Sequence, residues 1–210
     1  FLDTENADIV ALQEVNDSAD RSLDQRFRTL ITLRERLPKY RYYSFAPSDT
    51  NNLPEGKIVG GNAVLSKLPI AQTNITFFAY PYRDDYTDTP DNWPKRPRNL
   101  QHVEILSDAG ALNVFNFHGV WDLDGDNFSE QRRNMSEVIL KAIDGKQNAI
   151  LMGDTNAKET NPAMRAIEQH LHSVFGDERT TSFNMRHKDN PGYATAVVDH
   201  MYVSPSIKVM

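Results

Sequence analysis

The residues with the clearest capacity for chemistry stand where Ile150-Leu151-Met152 runs into Gly153-Asp154-Thr155-Asn156. An apolar strand that stops there displays a carboxylate and a carboxamide at its tip, which together suit a divalent cation, a phosphate and an attacking water. The same Gly-Asp-x-Asn letters also build plain turns. Other strand ends favour the chemical reading. Ala7-Asp8-Ile9-Val10-Ala11-Leu12-Gln13-Glu14-Val15 is a near-continuous apolar run that carries Glu14 at its tip. Leu112-Asn113-Val114-Phe115-Asn116-Phe117-His118 alternates and finishes in a histidine, and Val197-Val198-Asp199 sets an acid within another strand. If these strands converge, Glu14, His118, Asp154 and Asp199 surround one polar centre.

Positioning those groups requires a layered scaffold. Residues 21–37 place Leu23, Phe27, Leu30, Ile31 and Leu37 near a helical period that Pro38 stops. Residues 40–46 read as a strand and 47–57, rich in Asn, Asp, Ser and Pro, as a loop. Strands follow at 60–66 and 75–80, then an irregular stretch over 81–98. Residues 99–106 and 111–118 form a hairpin around Ser107-Asp108-Ala109-Gly110. The clearest helix spans 129–143, with Met135, Val138, Ile139, Ala142 and Ile143 on one stripe and Gly145 just past its end. A strand at 148–152 and a short helix at 162–169, capped by Asn161 and opened by Pro162, complete the reading. Strands outnumber helices and several are linked by hairpins, so two packed sheets flanked by helices fit better than one parallel sheet.

A chain of 210 residues with 39% hydrophobic content builds one substantial core. Its net charge of −6 argues against a broad electropositive surface for nucleic acid but leaves room for a local basic patch. The absence of cysteine excludes disulfides, thiolate metal sites and a cysteine nucleophile while leaving the compartment unassigned. No apolar stretch approaches the roughly 20 residues of a membrane helix. Phe1 opens the sequence with neither an initiator methionine nor a signal peptide, and a piece of a longer protein is expected.

Five ordered blocks carry a resemblance: Leu12-Gln13-Glu14-Val15, Gly61-Asn62-Ala63-Val64-Leu65-Ser66, Phe117-His118-Gly119, Met152-Gly153-Asp154-Thr155-Asn156 and Val198-Asp199-His200-Met201-Tyr202-Val203-Ser204. In that order they resemble the endonuclease/exonuclease/phosphatase (deoxyribonuclease I-like) superfamily. The resemblance implies a single catalytic domain over 1–210 with an α/β architecture, a four-layer α/β/β/α sandwich of two packed mixed sheets flanked by helices, here lacking its first and last strands. It implies Mg²⁺, with Mn²⁺ as the alternative ion, bound by Glu14 and Asp154. Asp154 would orient or deprotonate the attacking water, Asn156 would hold a phosphate oxygen, and His118 would donate to the phosphate as charge builds. Asp199 matches the aspartate that orients a histidine expected beyond the last residue of this sequence.

The activity so implied is metal-assisted hydrolysis of a phosphodiester, in nucleic acid or a related ester, by a monomer. A phosphomonoesterase, a lipid phosphodiesterase and a non-catalytic scaffold of the same fold are the alternatives. The arginine and Pro-x-Trp pattern expected of inositol polyphosphate phosphatases does not occur; Ala157-Lys158-Glu159 stands after the Gly-Asp-x-Asn block.

Other polar residues carry plainer expectations. Strand alternation turns His200 away from Asp199 and Gln13 away from Glu14, leaving Gln13 as a supporting hydrogen-bonding group. Asn62 could bond a neighbouring loop. His102, His170, His172 and His187 have no companion at ligand spacing. Asp122-Leu123-Asp124-Gly125-Asp126 fails as a calcium loop, because its glycine falls too early and Arg133 stands where a bidentate glutamate belongs. Residues 80–98 mix Tyr80, Tyr82, Tyr86 and Trp93 with Arg83, Lys95, Arg96 and Arg98, a plausible place for substrate contact. The acids Asp84, Asp85, Asp88 and Asp91 offset them, so a solvated loop is favoured. Glu130, Arg132 and Arg133 are expected on an exposed helix face.

Overall fold

The computed structural model describes the chain except residues 19 and 123–125 and the side chain of Asp177. Leu123, Asp124 and Gly125 of the acidic loop thus lie outside the described residues. Two mixed sheets pack face to face. The first has four strands in the order β1 (Ile9–Asn16), β3 (Gly56–Ser66), β2 (Tyr42–Leu53), β5 (Arg83–Tyr86). The second has six, in the order β4 (Ile70–Phe77), β6 (Asn99–Ser107), β7 (Gly110–His118), β8 (Ala149–Asp154), β10 (Asp199–Val203), β9 (His172–Ser173). A single turn, α1 (Leu2–Glu5), precedes β1.

Alternation along the strands sorts the core into layers. Leu30 of α2 (Thr29–Arg36) covers the first sheet, packing with Val10, Val15, Ala63 and Leu65. Met135, Ile139 and Ile143 of α3 (Glu130–Ile143) and Met164 and Ile167 of α4 (Pro162–Glu168) cover the second, against Phe115, Phe117, Leu151 and Tyr202. Val64 meets Val103, Ile105 and Val114 between the sheets. The result is the expected α/β/β/α sandwich. Ser129 and Asn161 cap α3 and α4 through their side chains.

Three local expectations are corrected. The helix expected over 21–37 shrinks to α2, because the side chains of Asp20 and Asp24 accept the backbone N–H groups of Ser22 and Arg26 and hold the preceding segment in turns. The loop expected over 47–57 is instead the second half of β2 and the start of β3. Pro47 is tolerated because a bulge between Pro47 and Asp49 interrupts the ladder there. Within the irregular stretch, β5 pairs parallel with β2.

A polar seam ties the two sheets. Gln13 Nε2 donates to Asn116 Oδ1 at 2.6 Å, and Asn116 Nδ2 lies 3.1 Å from the Leu12 carbonyl and 3.0 Å from Gln101 Oε1. Gln101 Nε2 donates to the Ser44 hydroxyl at 2.9 Å. Asn62, equally buried, donates to Asn99 at 3.2 Å. Buried amides need partners, and here each finds one on the opposite sheet.

Candidate active site

Register brings the site together. His118 pairs with Asp154 in the parallel β7–β8 ladder, and Asp154 pairs with Asp199 in the antiparallel β8–β10 ladder. Three chemical side chains therefore stand in one row across three adjacent strands. Gly153 has φ 158°, and a Cβ there would collide with the Phe117 carbonyl, so only glycine lets β8 lie this close to β7.

Glu14 reaches the same place from the other sheet by a different device. Leu12 pairs with Ala63 and Val15 with Gly61, which leaves Gln13 and Glu14 together opposite Asn62. This is a bulge with one extra residue, and Glu14 sits in it with φ 55°. In an unbroken strand Glu14 would share a face with Leu12 and point at α2. The bulge re-aims it, and Glu14, His118, Asp154 and Asn156 line one cavity of about 500 Å³.

The electrostatics follow from burial. Asp154 accepts the Asn156 backbone N–H on Oδ1 at 2.8 Å. Burial pushes its carboxyl up to about 6, opposed by that hydrogen bond and helped by the nearby charges of Asp199 and Glu14. His118 is held well below its ordinary range by burial, then by Arg98 and Arg96. Arg98 Nη1 lies 2.7 Å from His118 Nδ1. Because guanidinium can only donate, Nδ1 is the acceptor, and the proton of the neutral ring sits on Nε2, 3.6 Å from Asp154 Oδ2. Burial, and then Arg96, lower Arg98 to about 10, while Glu14, Asp49 and Asp154 pull the other way.

Asn156 has φ 51°, and its Nδ2 donates to the Gly119 carbonyl at 3.0 Å. Its own carbonyl accepts from Arg132, which is 1% exposed and also donates to the carbonyls of Val120 and Asn127. Arg132 is thus not on an exposed helix face, as its position in the sequence suggested. It braces the loop after β8.

His200 points away from Asp199, buried with Nε2 3.2 Å from the Val197 carbonyl. Asp126, from the described part of the acidic loop, accepts the Lys158 backbone N–H and bonds Asn161.

The chain also places in the site Asp49, which the sequence did not single out, and two arginines whose substrate contact it disfavoured. Asp49, fully buried, forms a two-pronged ion pair with Arg96 at 3.0 and 3.3 Å. Arg96 and Arg98 come from the segment favoured as solvated loop. Glu14, Asp49, Arg96, Arg98 and His118 share a second, more polar cavity of about 300 Å³.

A metal has a reasonable seat here. Among the described residues no three acidic or imidazole groups close a cation cage by themselves. Mg²⁺ needs fewer, since it keeps several waters and takes one or two carboxylates. Glu14 and Asp154 could supply hard oxygens, and the Asp154 carboxyl is raised first by burial and then by the charges of Asp199 and Glu14, costs that a bound cation would offset.

The family model described as Endonuclease/Exonuclease/phosphatase family matches residues 1–209. The chain belongs to this family. No curated protein sequence is significantly similar to this member of the endonuclease/exonuclease/phosphatase family. Solved structures are similar in fold. An endonuclease/exonuclease/phosphatase from Beutenbergia cavernae superposes with a TM-score of 0.68 at 18% identity, over 97% of this chain and 57% of that one. The chain thus spans little more than half the length of that relative. A mannosyl-6-phosphatase from Bacteroides thetaiotaomicron gives 0.59 at 19% identity, over 98% and 74%. D. rerio TDP2, solved with a single-strand DNA product, gives 0.62 at 17%, over 97% and 73%.

Proposed function

We propose that this family member is a phosphodiesterase that hydrolyses its ester by direct water attack with a divalent cation, Mg²⁺, at Glu14 and Asp154. The observation that carries the reading is the row His118, Asp154, Asp199 across three adjacent strands, of which His118 and Asp154 line one cavity with a re-aimed Glu14. When bound there, the cation offsets charge on the phosphoryl oxygens.

The remaining roles belong to the chain. Asp154 is fixed through Oδ1 by the Asn156 N–H, and its Oδ2, 3.6 Å from His118 Nε2, orients the attacking water and accepts its proton. His118 presents its Nε2–H to the phosphoryl oxygens, with Arg98 locking that tautomer. One Asn156 Nδ2 hydrogen is spent on Gly119 and the other remains for a phosphate oxygen. Asp199 stands beside Asp154, where it keeps the local charge negative and raises the basicity of its neighbour. No covalent intermediate is invoked, because among the described residues that line the cavity around Asp154 there is no serine or cysteine.

The test is hydrolysis of bis(p-nitrophenyl) phosphate with Mg²⁺ and with excess chelator. Mg²⁺-dependent turnover that Asp154→Asn removes supports the reading; turnover equal in the variant refutes it.

A further inference from the structure

The cleft beside the row of acids is lined by aromatic rings that the core does not use. Trp93 and Trp121 meet edge to face at 5.4 Å. Phe183 and Tyr193 lie 4.4 Å apart with their planes tilted by 36°. Lys188 Nζ sits 5.5 and 5.4 Å from the centroids of that second pair. All five side chains line the cavity that holds Glu14, His118, Asp154 and Asn156.

A local bond holds one of these rings in place. Trp93 Nε1 donates to Asp88 at 2.7 Å, which fixes the indole plane although the residue is 41% exposed. None of the four joins the buried core clusters. Trp93 is exposed and Trp121, Phe183 and Tyr193 are half-buried, so these aromatic faces are only partly covered, and a planar ligand completes their burial. The chain has only two tryptophans, and both are here.

The chemistry of the occupant follows. A saturated sugar can lay only its puckered C–H face on an aromatic ring, whereas a nucleobase is planar and stacks over its whole face while Lys188 and Arg98 meet its phosphates. The base must be unpaired, since in a duplex its faces are covered by its neighbours. The net charge of −6 also disfavours binding a long duplex through its backbone alone.

We propose that the cleft formed by Trp93, Trp121, Phe183 and Tyr193 is a stacking subsite for an unpaired nucleobase beside the scissile phosphate, so that the substrate is single-stranded nucleic acid. This rests on the phosphodiesterase reading above for its phosphate, but its test does not require turnover.

Both tryptophans report on the cleft, so binding is read as quenching of intrinsic emission, in excess chelator to stop hydrolysis. Three probes of equal length are compared: oligothymidylate DNA, oligouridylate RNA and an abasic DNA backbone. The expected result is quenching by a base-bearing strand with affinity about tenfold or more above that of the abasic strand, the size that loss of one stacked base gives. The tighter of the DNA and RNA arms identifies the sugar. In Trp93→Ala the ratio of base-bearing to abasic affinity should fall toward one, and Trp93→Phe should restore most of it. Equal affinity for abasic and base-bearing strands, an unchanged ratio in Trp93→Ala, or competition by hexose 6-phosphate as effective as that by the oligonucleotide would overturn the proposal. Quenching by oligonucleotide without any Mg²⁺-dependent hydrolysis would support the subsite and refute the phosphodiesterase reading.

Discussion

Asp154 and Asp199 are register partners across the antiparallel β8–β10 pair, so two carboxylates stand side by side on adjacent strands and the charge of Asp199 bears on its neighbour. Burial and this neighbour together hold Asp154 at about 6. A group so poised exchanges protons readily near neutrality.

Replacing Asp154 by Asn keeps an oxygen for the Asn156 N–H and removes the charge. Phosphodiester hydrolysis should fall by about a thousandfold or more. The chelated variant should melt no lower than the parent, because its carboxylate was destabilised by burial. Paired kinetic and calorimetric measurements check this, and a fall in both would mean that Asp154 acts through the fold.

Metal addition should raise the melting temperature, since a ligand that binds only the folded state stabilises it by mass action. In Glu14→Gln the Mg²⁺ concentration giving the half-maximal shift should rise about tenfold. An identical titration in the variant would remove Glu14 from the cation's seat.

Arg132→Ala should lower stability by about 3 kcal/mol, because three carbonyls lose a buried donor. Turnover should drop as well, through the loosened Asn156. Urea denaturation followed by kinetics at a temperature where the variant is folded separates the two effects.

Gly153→Ala should cost about 3 kcal/mol or more, because its φ of 158° and the Phe117 carbonyl leave no room for a methyl group. Soluble yield and urea midpoint are the readouts; a variant as stable as the parent would show that β7 and β8 can separate freely.

Burial depresses both His102 and His200, which stay neutral in the fold and take up protons on unfolding. Their contribution is therefore complete above the unfolded value of about 6.5 and is lost as pH falls below it. Asp154, raised, acts with the opposite sign: its contribution to stability grows as pH falls from about 6 toward the usual carboxylate range. Comparing parent with His200→Gln cancels the carboxylate. The urea midpoint of the parent should drop more between pH 7.5 and 5.5 than that of the variant, and equal drops would contradict the burial of a neutral His200.

The sequence exposed those parts of the site that a strand end defines. His118 and Asp154 are legible because apolar runs locate the strands and the polar residue at each tip is conspicuous, and Asp199 because it is an acid set in an apolar run, although the strand starts at Asp199 itself. Glu14 is legible as a residue, but the bulge that turns it toward the cleft depends on pairing with Gly61 and Ala63, which no local pattern encodes. Asp49 was hidden, and Arg96 and Arg98 were named for substrate contact but set aside, because each lies in a stretch of mixed charge that reads as solvated, and the Asp49–Arg96 ion pair spans 47 positions. Arg132 was misread for a related reason: helical periodicity says which face a residue occupies, not that loop carbonyls await it there.

The amides Gln13, Asn116 and Gln101 interlock one half of the molecule with the other through directional bonds. Greasy contacts tolerate sliding; these do not. The carboxylate from the first half and those from the second are consequently kept in alignment by a keyed joint. An engineer who filled that joint with leucines would strand the carbonyls of Leu12, Ala63 and Ser44 and lose aim.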